Sequence, residues 1–417
     1  LRVNLLLRPD GTPPCPIEVL GAPVPWAKGA YFVEGDARPG LSPLHEGGLF
    51  YMQEPSALTA VTVLDPQPGE RVLDLCAAPG GKSTQIAALM AGRGLLCCNE
   101  PIPSRAQILS RNIERMGVRN AVVLSAMPDA LAPRFPAFFD RILVDAPCSG
   151  EGMFRRQPEA RDEWDADAPR RCADRQMEIL AQAAKMLRPG GTMVYSTCTF
   201  NDTENEGVLK RFLALHPEFS LVPFALPGLP EAKDGYLHLY PHEMRGEGHF
   251  VSRLKKADGA DEADAPVQAA PQRKAPARAA MGKAPASIAL PDVFSDAFAP
   301  ERLYTAGDAL WMLPEGISIE RLSGLRVLRT GLLLAHAEGK RSEPDHALAM
   351  ALRPEEAART ASLTQTQALA YQAGETLSLG DLPGGYTLLC CEGVSLGWGK
   401  QAGGLMKNHY PKGLRRR

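Results

Sequence analysis

Arg71-Val72-Leu73-Asp74-Leu75-Cys76-Ala77-Ala78-Pro79-Gly80-Gly81-Lys82-Ser83-Thr84 sets a short apolar run against a turn of small residues and a lysine. Arg71–Leu75 has the pattern of a buried strand, and Lys82 to Met90 that of a helix. A strand that passes into a helix through Ala, Pro and Gly lets backbone approach a ligand closely, with helix N–H groups facing it. Gly81-Lys82-Ser83 looks like the end of a phosphate-binding loop. That loop needs a glycine five positions before its second one, and Cys76 holds the place. A dinucleotide GxGxxG is absent too. The plainer reading is a tight turn without a ligand, but a turn alone does not need Gly-Gly-Lys.

Outward from this turn, strand and helix signals keep alternating. Gly94 to Asn99 is apolar again, Ser104 to Met116 is helical, and Gly117 is placed to cap its end. Ala121 to Leu124, Arg141 to Val144 and Thr192 to Ser196 repeat the strand signal. Between the last two, Arg170 to Leu187 is an amphipathic helix stopped by Arg188-Pro189-Gly190-Gly191. The alternation predicts an α/β fold with a doubly wound sheet. Thr203-Glu204-Asn205-Glu206 has the form of a capping box and should start another helix. Residues 256–289 turn Ala-, Pro-, Lys- and Arg-rich without an apolar period, which predicts a semi-extended linker. Beyond it, 290–417 regains strand-like runs at Leu325 to Leu334 and Tyr386 to Cys391, as expected of a separate, mainly β module. The opening Leu1-Arg2-Val3-Asn4 reads as the middle of a strand, so sequence upstream of it is expected.

With 417 residues, 45% of them apolar and 23% charged, the chain should fold as two or three globular domains. A net charge of -2 excludes a protein that coats nucleic acid by charge alone, so any RNA contact must come from local patches. No apolar run approaches the roughly 18 residues of a membrane span. Nine cysteines, an odd number without a CxxC pair, argue for reduced thiols in a cytoplasmic setting.

Three further stretches join the first at the predicted carboxyl edge of the sheet. Glu100 follows the second strand, about 20 residues past the Gly-rich turn, where a carboxylate can take ribose hydroxyls. Asp145-Ala146-Pro147-Cys148-Ser149-Gly150-Glu151-Gly152 ends the fourth strand, and Ser196-Thr197-Cys198-Thr199 the fifth. In the usual strand order Cys76, Asp145, Cys148 and Cys198 converge on one crevice. Free cysteines are most often small buried hydrophobes, and Cys15, Cys97, Cys98, Cys172, Cys390 and Cys391 are read so. Cys148 and Cys198 differ in lying in polar turns beside a carboxylate. A zinc site is a weak reading for three thiols without a fourth ligand, and no metal is expected. A redox pair is a further reading of the two thiols.

Cys76–Lys82, Asp145–Gly152 and Ser196–Thr199 resemble the motifs of the RNA cytosine-5 methyltransferases of the Nol1/Nop2/Sun group. The run Asp145 to Arg156, with its Phe-Arg-Arg, and Tyr195 to Gly207 resemble the bacterial RsmF-like branch acting on 16S ribosomal RNA. So does Phe50-Tyr51-Met52-Gln53-Glu54-Pro55-Ser56 before the first strand. Leu396–Lys400 and Lys407–Lys412 resemble that branch's C-terminal PUA-like module. Together these motifs span most of the chain except the linker.

The resemblance implies a Rossmann-like S-adenosylmethionine-dependent methyltransferase. It divides the chain into a remnant of an N-terminal RNA-binding region over 1–60, a catalytic domain over 61–255, the linker over 256–289 and the PUA-like module over 290–417. It implies that Cys198 attacks C6 of a cytosine, that Cys148 assists the later elimination, and that Asp145 hydrogen-bonds the base. S-adenosyl-L-methionine would lie on Cys76, Ala77, Ala78, Pro79, Gly80, Gly81 and Lys82, with Glu100 on the ribose and Asp145 beside it. Lys82 would favour the thiolate; its plainer role is to cap a helix. Many family members carry an acid on the adenine side, and Ser125-Ala126-Met127-Pro128-Asp129 offers no aligned counterpart. The implied partner is RNA, 16S rRNA or the small ribosomal subunit. Alternatives are the same reaction on tRNA, or a ribosome-assembly factor that binds RNA without catalysis. DNA is not expected, because its methylases use the Pro-Cys thiol as nucleophile and leave Thr197-Cys198 unexplained. Lys400, Lys407, Lys412, Arg415, Arg416 and Arg417, interleaved with Trp398, His409 and Tyr410, suit RNA phosphates and bases. A chain ending near residue 285 is expected to keep its cofactor affinity.

Overall fold

The structure, a computed structural model, describes residues 1–13, 20–35, 38–156, 159–162, 164–259, 300–338 and 341–415. Cys15, the linker from 260 onward, Arg416 and Arg417 lie outside the described residues.

Nine strands form the central sheet: β1 (Arg71–Asp74), β2 (Leu95–Asn99), β3 (Ala121–Leu124), β4 (Phe139–Asp145), β5 (Leu187–Thr197), β6 (Phe219–Leu221), β7 (Tyr236–Leu239), β8 (His249–Lys256) and β9 (Val327–Arg329). Their order is β6-β8-β5-β4-β1-β2-β3-β9, with β7 also paired to β8. Strands β1 to β5 run parallel, while β8 is antiparallel to β5 and β9 to β3. Side chains in the central parts of the parallel strands alternate between two cores, as a period of two requires. Leu73, Cys97, Val122, Ile142 and Tyr195 face one core, and Val72, Cys98, Val123, Leu143 and Val194 the other. The adjacent Cys97 and Cys98 are therefore packing residues of opposite faces.

Helices α1 (Gly81–Leu89) and α2 (Pro103–Arg115), with helix Leu58–Leu64, cover the second core, and α3 (Ala168–Met186) and α4 (Glu206–Leu215) the first. Leu58–Leu64 runs across the boundary expected at residue 60. Helix α4 forms where one was expected but begins at Glu206, two residues later than a box capped by Thr203 would start it; its N-cap is Asn205 and no side chain caps it. The capping box is not made, because Glu206, its acid, stands at the first position of the helix and meets His238 Nε2 at 2.6 Å instead.

The expectation of one separate C-terminal module needs correction. Leu325 to Leu334 is not one strand. Gly331, at φ +133°, breaks it into β9 of the central sheet and Leu332–Glu338 of a different, four-stranded sheet. A second four-stranded sheet follows, over Thr360–Leu363, Gly385–Cys391, Val394–Ala402 and Leu405–Asn408. Its core also takes in Leu1, Val3, Leu44, Leu49 and Phe50, so the N-terminal segment is packed on the C-terminal one. Trp398 and Tyr410 are buried, at 2% and 4% exposure, and are not available to bases. Trp398 donates its indole N–H to the Asp345 carbonyl, while Lys400 lies over the Tyr386 ring at 4.6 Å.

These contacts change what truncation should do. Arg134 donates to the carbonyls of Glu320, Arg321 and Ser323, Arg329 pairs with Glu114, and Leu322 is buried in the first core. A chain ending near residue 285 would open the β3 edge and uncover that core. We expect a loss of roughly 2–5 kcal/mol in its urea-unfolding free energy, from Leu322 burial and the lost Arg134 and Arg329 contacts. An unchanged free energy would show that the modules are independent.

Candidate active site

The ends of β1, β2, β4 and β5 meet at the carboxyl edge of the sheet, where the strand order reverses. A cleft of about 1030 Å³ opens there, lined among others by Cys76, Ala78, Glu100, Asp145, Cys148 and Cys198. Ala77, Pro79, Gly80, Gly81 and Lys82 do not line it. They shape the turn from behind. Ala77 is buried in the second core, and the Pro79 carbonyl accepts from Asn112 at 2.9 Å. Gly80 has φ +113°, and a Cβ there would stand 3.2 Å from Leu109 on α2.

Asp145 is held from several sides. Lys82 Nζ reaches Oδ2 at 2.7 Å, Ser196 Oγ donates to Oδ1 at 2.8 Å, and His249 Nε2 stands 3.4 Å from Oδ1. Burial works to raise its pKa, but the charge of Lys82 and the contacts with His249 outweigh it and hold the carboxyl well below its ordinary value. Lys82 answers in the opposite direction: burial lowers its pKa, and Asp145 more than compensates, so it stays charged. Asp145 keeps 27% of its side chain exposed.

The two thiols are in contact, Cys148 Sγ to Cys198 Sγ 3.2 Å. Their mutual hydrogen bond separates them chemically. It pushes the Cys148 thiol well up and holds Cys198 below its ordinary value, with Lys82 adding to the latter against burial and Asp145. Cys198 is the member poised to ionise. A web of hydrogen bonds fixes both loops. Ser149 Oγ meets Thr199 Oγ1 at 2.9 Å, and Glu204 accepts from the Ser149 amide and from Gln176 at 2.8 Å. Gln176 also donates to the Pro147 carbonyl, and Tyr195 donates to Gln176 and to the Glu204 carbonyl. Gly152 donates its N–H to the Cys198 carbonyl at 2.9 Å; a Cβ on it would sit 2.8 Å from that oxygen.

Glu100 is 3% exposed, accepts from the Ile102 amide at 3.0 Å, and has Arg105 at 3.5 Å. Met127, Pro128 and Asp129 line the cleft opposite, although their sequence offers no aligned motif. Cys172 also lines it, half-buried on α3 rather than packed away. Other site residues carry no local signal. Asp74 is buried with Oδ1 unpartnered, and burial pushes its pKa up to about 7 despite a hydrogen bond from Ser83. Arg2, wholly buried, donates to the Gly81 carbonyl, Thr84 Oγ1 and Gln53 Oε1, and so braces the start of α1. Glu54 accepts from the Glu247 amide at 2.8 Å, which ties the Phe50–Ser56 stretch to the far rim. Among the described residues, no group of His, Cys, Asp or Glu could hold a metal ion, and no helix is long and apolar enough to cross a membrane.

Comparison with known proteins agrees with this geometry. The family model described as 16S rRNA methyltransferase RsmB/F matches residues 61–255. Those of the first C-terminal domain and the PUA domain of the RsmF methyltransferases match 291–352 and 358–416. The ribosomal RNA small subunit methyltransferase F of Klebsiella pneumoniae (strain 342) is 35% identical over 409 residues, covering 94% of this chain and 84% of that relative. Its counterpart in Erwinia tasmaniensis is 33% identical over 416 residues, with the same coverage of 94% and 84%. The crystal structure of a methyltransferase homologue from Pyrococcus horikoshii superposes with a TM-score of 0.51 at 30% identity, over 61% of this chain and 85% of that one.

Proposed function

We propose, for a chain that belongs to the 16S rRNA methyltransferase RsmB/F family, that it methylates C5 of a cytosine in 16S ribosomal RNA through a covalent bond from Cys198 to C6. One observation carries this reading: the two thiols stand 3.2 Å apart with opposite pKa displacements, beside an anchored carboxylate. Cytosine C5 is a poor nucleophile. Addition of the Cys198 thiolate to C6 moves electron density onto C5, which can then attack a methyl group. Asp145 accepts a hydrogen bond from the exocyclic amine, and from N3 once the adduct takes a proton there. Cys148 gives Cys198 its hydrogen bond before attack. After methylation it stands within reach to assist loss of the C5 proton, whereupon the S–C6 bond breaks. A paired base cannot reach these groups, so the target must be unpaired or flipped.

The cleft suits S-adenosyl-L-methionine, which supplies an electrophilic methyl group when bound. Glu100 would take the ribose hydroxyls. Ile102 and Met127, apolar yet 48% and 62% exposed in the lining, suit the faces of an adenine. Cys76 and Ala78 would flank the methionine portion, with Ala77, Pro79, Gly80, Gly81 and Lys82 fixing the turn. Glu100→Ala should weaken cofactor binding by about 2–3 kcal/mol, the value of a charge-assisted pair of hydrogen bonds. Calorimetry showing unchanged affinity would remove Glu100 from the site. The C-terminal sheets would add RNA contacts through exposed cations such as Lys407 and Lys412.

The reading is tested by incubating the protein with methyl-labelled cofactor and 16S rRNA, free or in small subunits, and digesting the RNA to nucleosides. Label in 5-methylcytidine is expected. Label only with tRNA would move the substrate, and RNA binding without label would leave an assembly factor.

A further inference from the structure

A row of rings leaves the nucleophile loop and reaches the surface. Phe200, two residues past Cys198, meets the Tyr240 ring with centroids 5.7 Å apart. Tyr240 stacks on His238 at 5.2 Å, with the planes 2° apart, and on the other side meets His242 at 5.5 Å and 27°. Strand β7 ends at Leu239, and the chain then turns, with the Glu243 and Met244 amides donating to the Tyr240 carbonyl, so His242 sits in the turn at the strand's end. Topology fixes where the row emerges. Strand β7 is antiparallel to β8 (Leu239 opposite His249), and β8 is antiparallel to β5 (Phe250 opposite Thr197). Strand β7 is thus parallel to β5, and its end opens on the same edge as Cys198.

Nothing in the mechanism above uses these rings. The inner end is anchored: His238 Nε2 lies 2.6 Å from Glu206 Oε1, and its ring packs on Phe250 at 4.8 Å. The outer end is open, with His242 75% exposed. Gly248 (φ +102°) lets the row reach the site, since a Cβ there would stand 2.5 Å from Phe200 Cε1. Cations border the loop that follows the row. Arg155 is 62% exposed, donates to the Gly246 carbonyl at 2.9 Å and pairs with Glu247 at 3.0 Å; Arg156 beside it is exposed. These are the arginines of the Phe-Arg-Arg run.

We infer that His242, backed by Tyr240, forms a stacking platform for an unpaired nucleotide next to the target cytosine, with Arg155 and Arg156 over its phosphate. The inference rests on the reading of the site as an RNA methyltransferase. Flat rings beside guanidinium groups bind single-stranded nucleic acid without reading sequence. A flipped base leaves its neighbours unstacked, and a platform at the same edge replaces the lost stacking. An apolar protein partner fits less well, because every ring but Phe200 carries a polar edge and arginines border the loop that follows.

The test uses the full chain with 16S rRNA from cells lacking the gene, free or in small subunits, whichever the wild type methylates. His242→Ala should raise KM for RNA by about five- to a hundredfold, and Tyr240→Ala, which removes the ring behind His242, by a smaller factor. Turnover at saturation and cofactor affinity should stay within about twofold, because neither residue touches the reacting atoms. Tyr240→Phe should restore KM, since stacking needs the ring and not the hydroxyl. His242 is too exposed for its loss to unfold the chain, so it tests the platform even if Tyr240→Ala folds poorly. Wild-type KM in both alanine variants would overturn the inference while leaving the methyltransferase reading standing. No methyl transfer to rRNA by the wild type would overturn both.

Discussion

Cys198→Ala is expected to abolish methyl transfer and the covalent protein–RNA product together, a fall on the order of 10⁴-fold or more in turnover. Cys148→Ala should behave in the opposite way and accumulate an RNA adduct that survives denaturing gels. The difference follows from the pair's geometry. With Cys148 as donor, the hydrogen bond holds the Cys198 pKa down, which makes Cys198 the thiol of the pair that ionises more readily and, on this reading, attacks. Removing Cys148 takes away a hydrogen bond, but Lys82 still favours the thiolate, so attack continues and release stalls. Gel analysis with end-labelled RNA reads both outcomes. Turnover by Cys148→Ala, with trapping by Cys198→Ala, would exchange the two roles.

Asp145→Asn is expected to lower kcat by about 10²- to 10³-fold, comparable to losing one preorganised group at a developing charge. The substitution keeps the shape and the contact with Ser196 but removes the charge that Lys82 and His249 surround. Lys82, 13% exposed, is then left without its partner, and the Cys198 thiolate and the base both lose their electrostatic setting. Cofactor affinity should fall far less than kcat, which separates this variant from Glu100→Ala. Equal losses in cofactor affinity and kcat would place Asp145 on the cofactor instead of the base.

The parallel half of the sheet was legible because burial on two faces writes apolar runs such as Arg71–Leu75 and Ala121–Leu124 into the chain. The same regularity brought Glu100, Asp145, Cys148 and Cys198 to one edge from sequence alone. Residues supplied by distant pairing were not legible. His249 reaches Asp145 only because β8 lies antiparallel beside β5, a partnership with no local mark. Strand β9 was hidden in a longer apolar run, since a break at Gly331 depends on its φ rather than its neighbours. Trp398 and Tyr410 misled for another reason: aromatics beside lysines look like a binding face, yet these fill the core and leave Lys400 over Tyr386. Thr203–Glu206 matched a capping box, yet Glu206 opens the helix and meets His238, while Glu204 within the motif accepts from the Ser149 amide and Gln176.

Bisulfite sequencing of 16S rRNA from cells with and without the gene tests the central claim most directly. The account predicts one or more cytosines protected from conversion when the gene is present and converted when it is absent. Protection should return with the wild-type gene and not with Cys198→Ala. Identical conversion at every 16S cytosine in the two strains would contradict it.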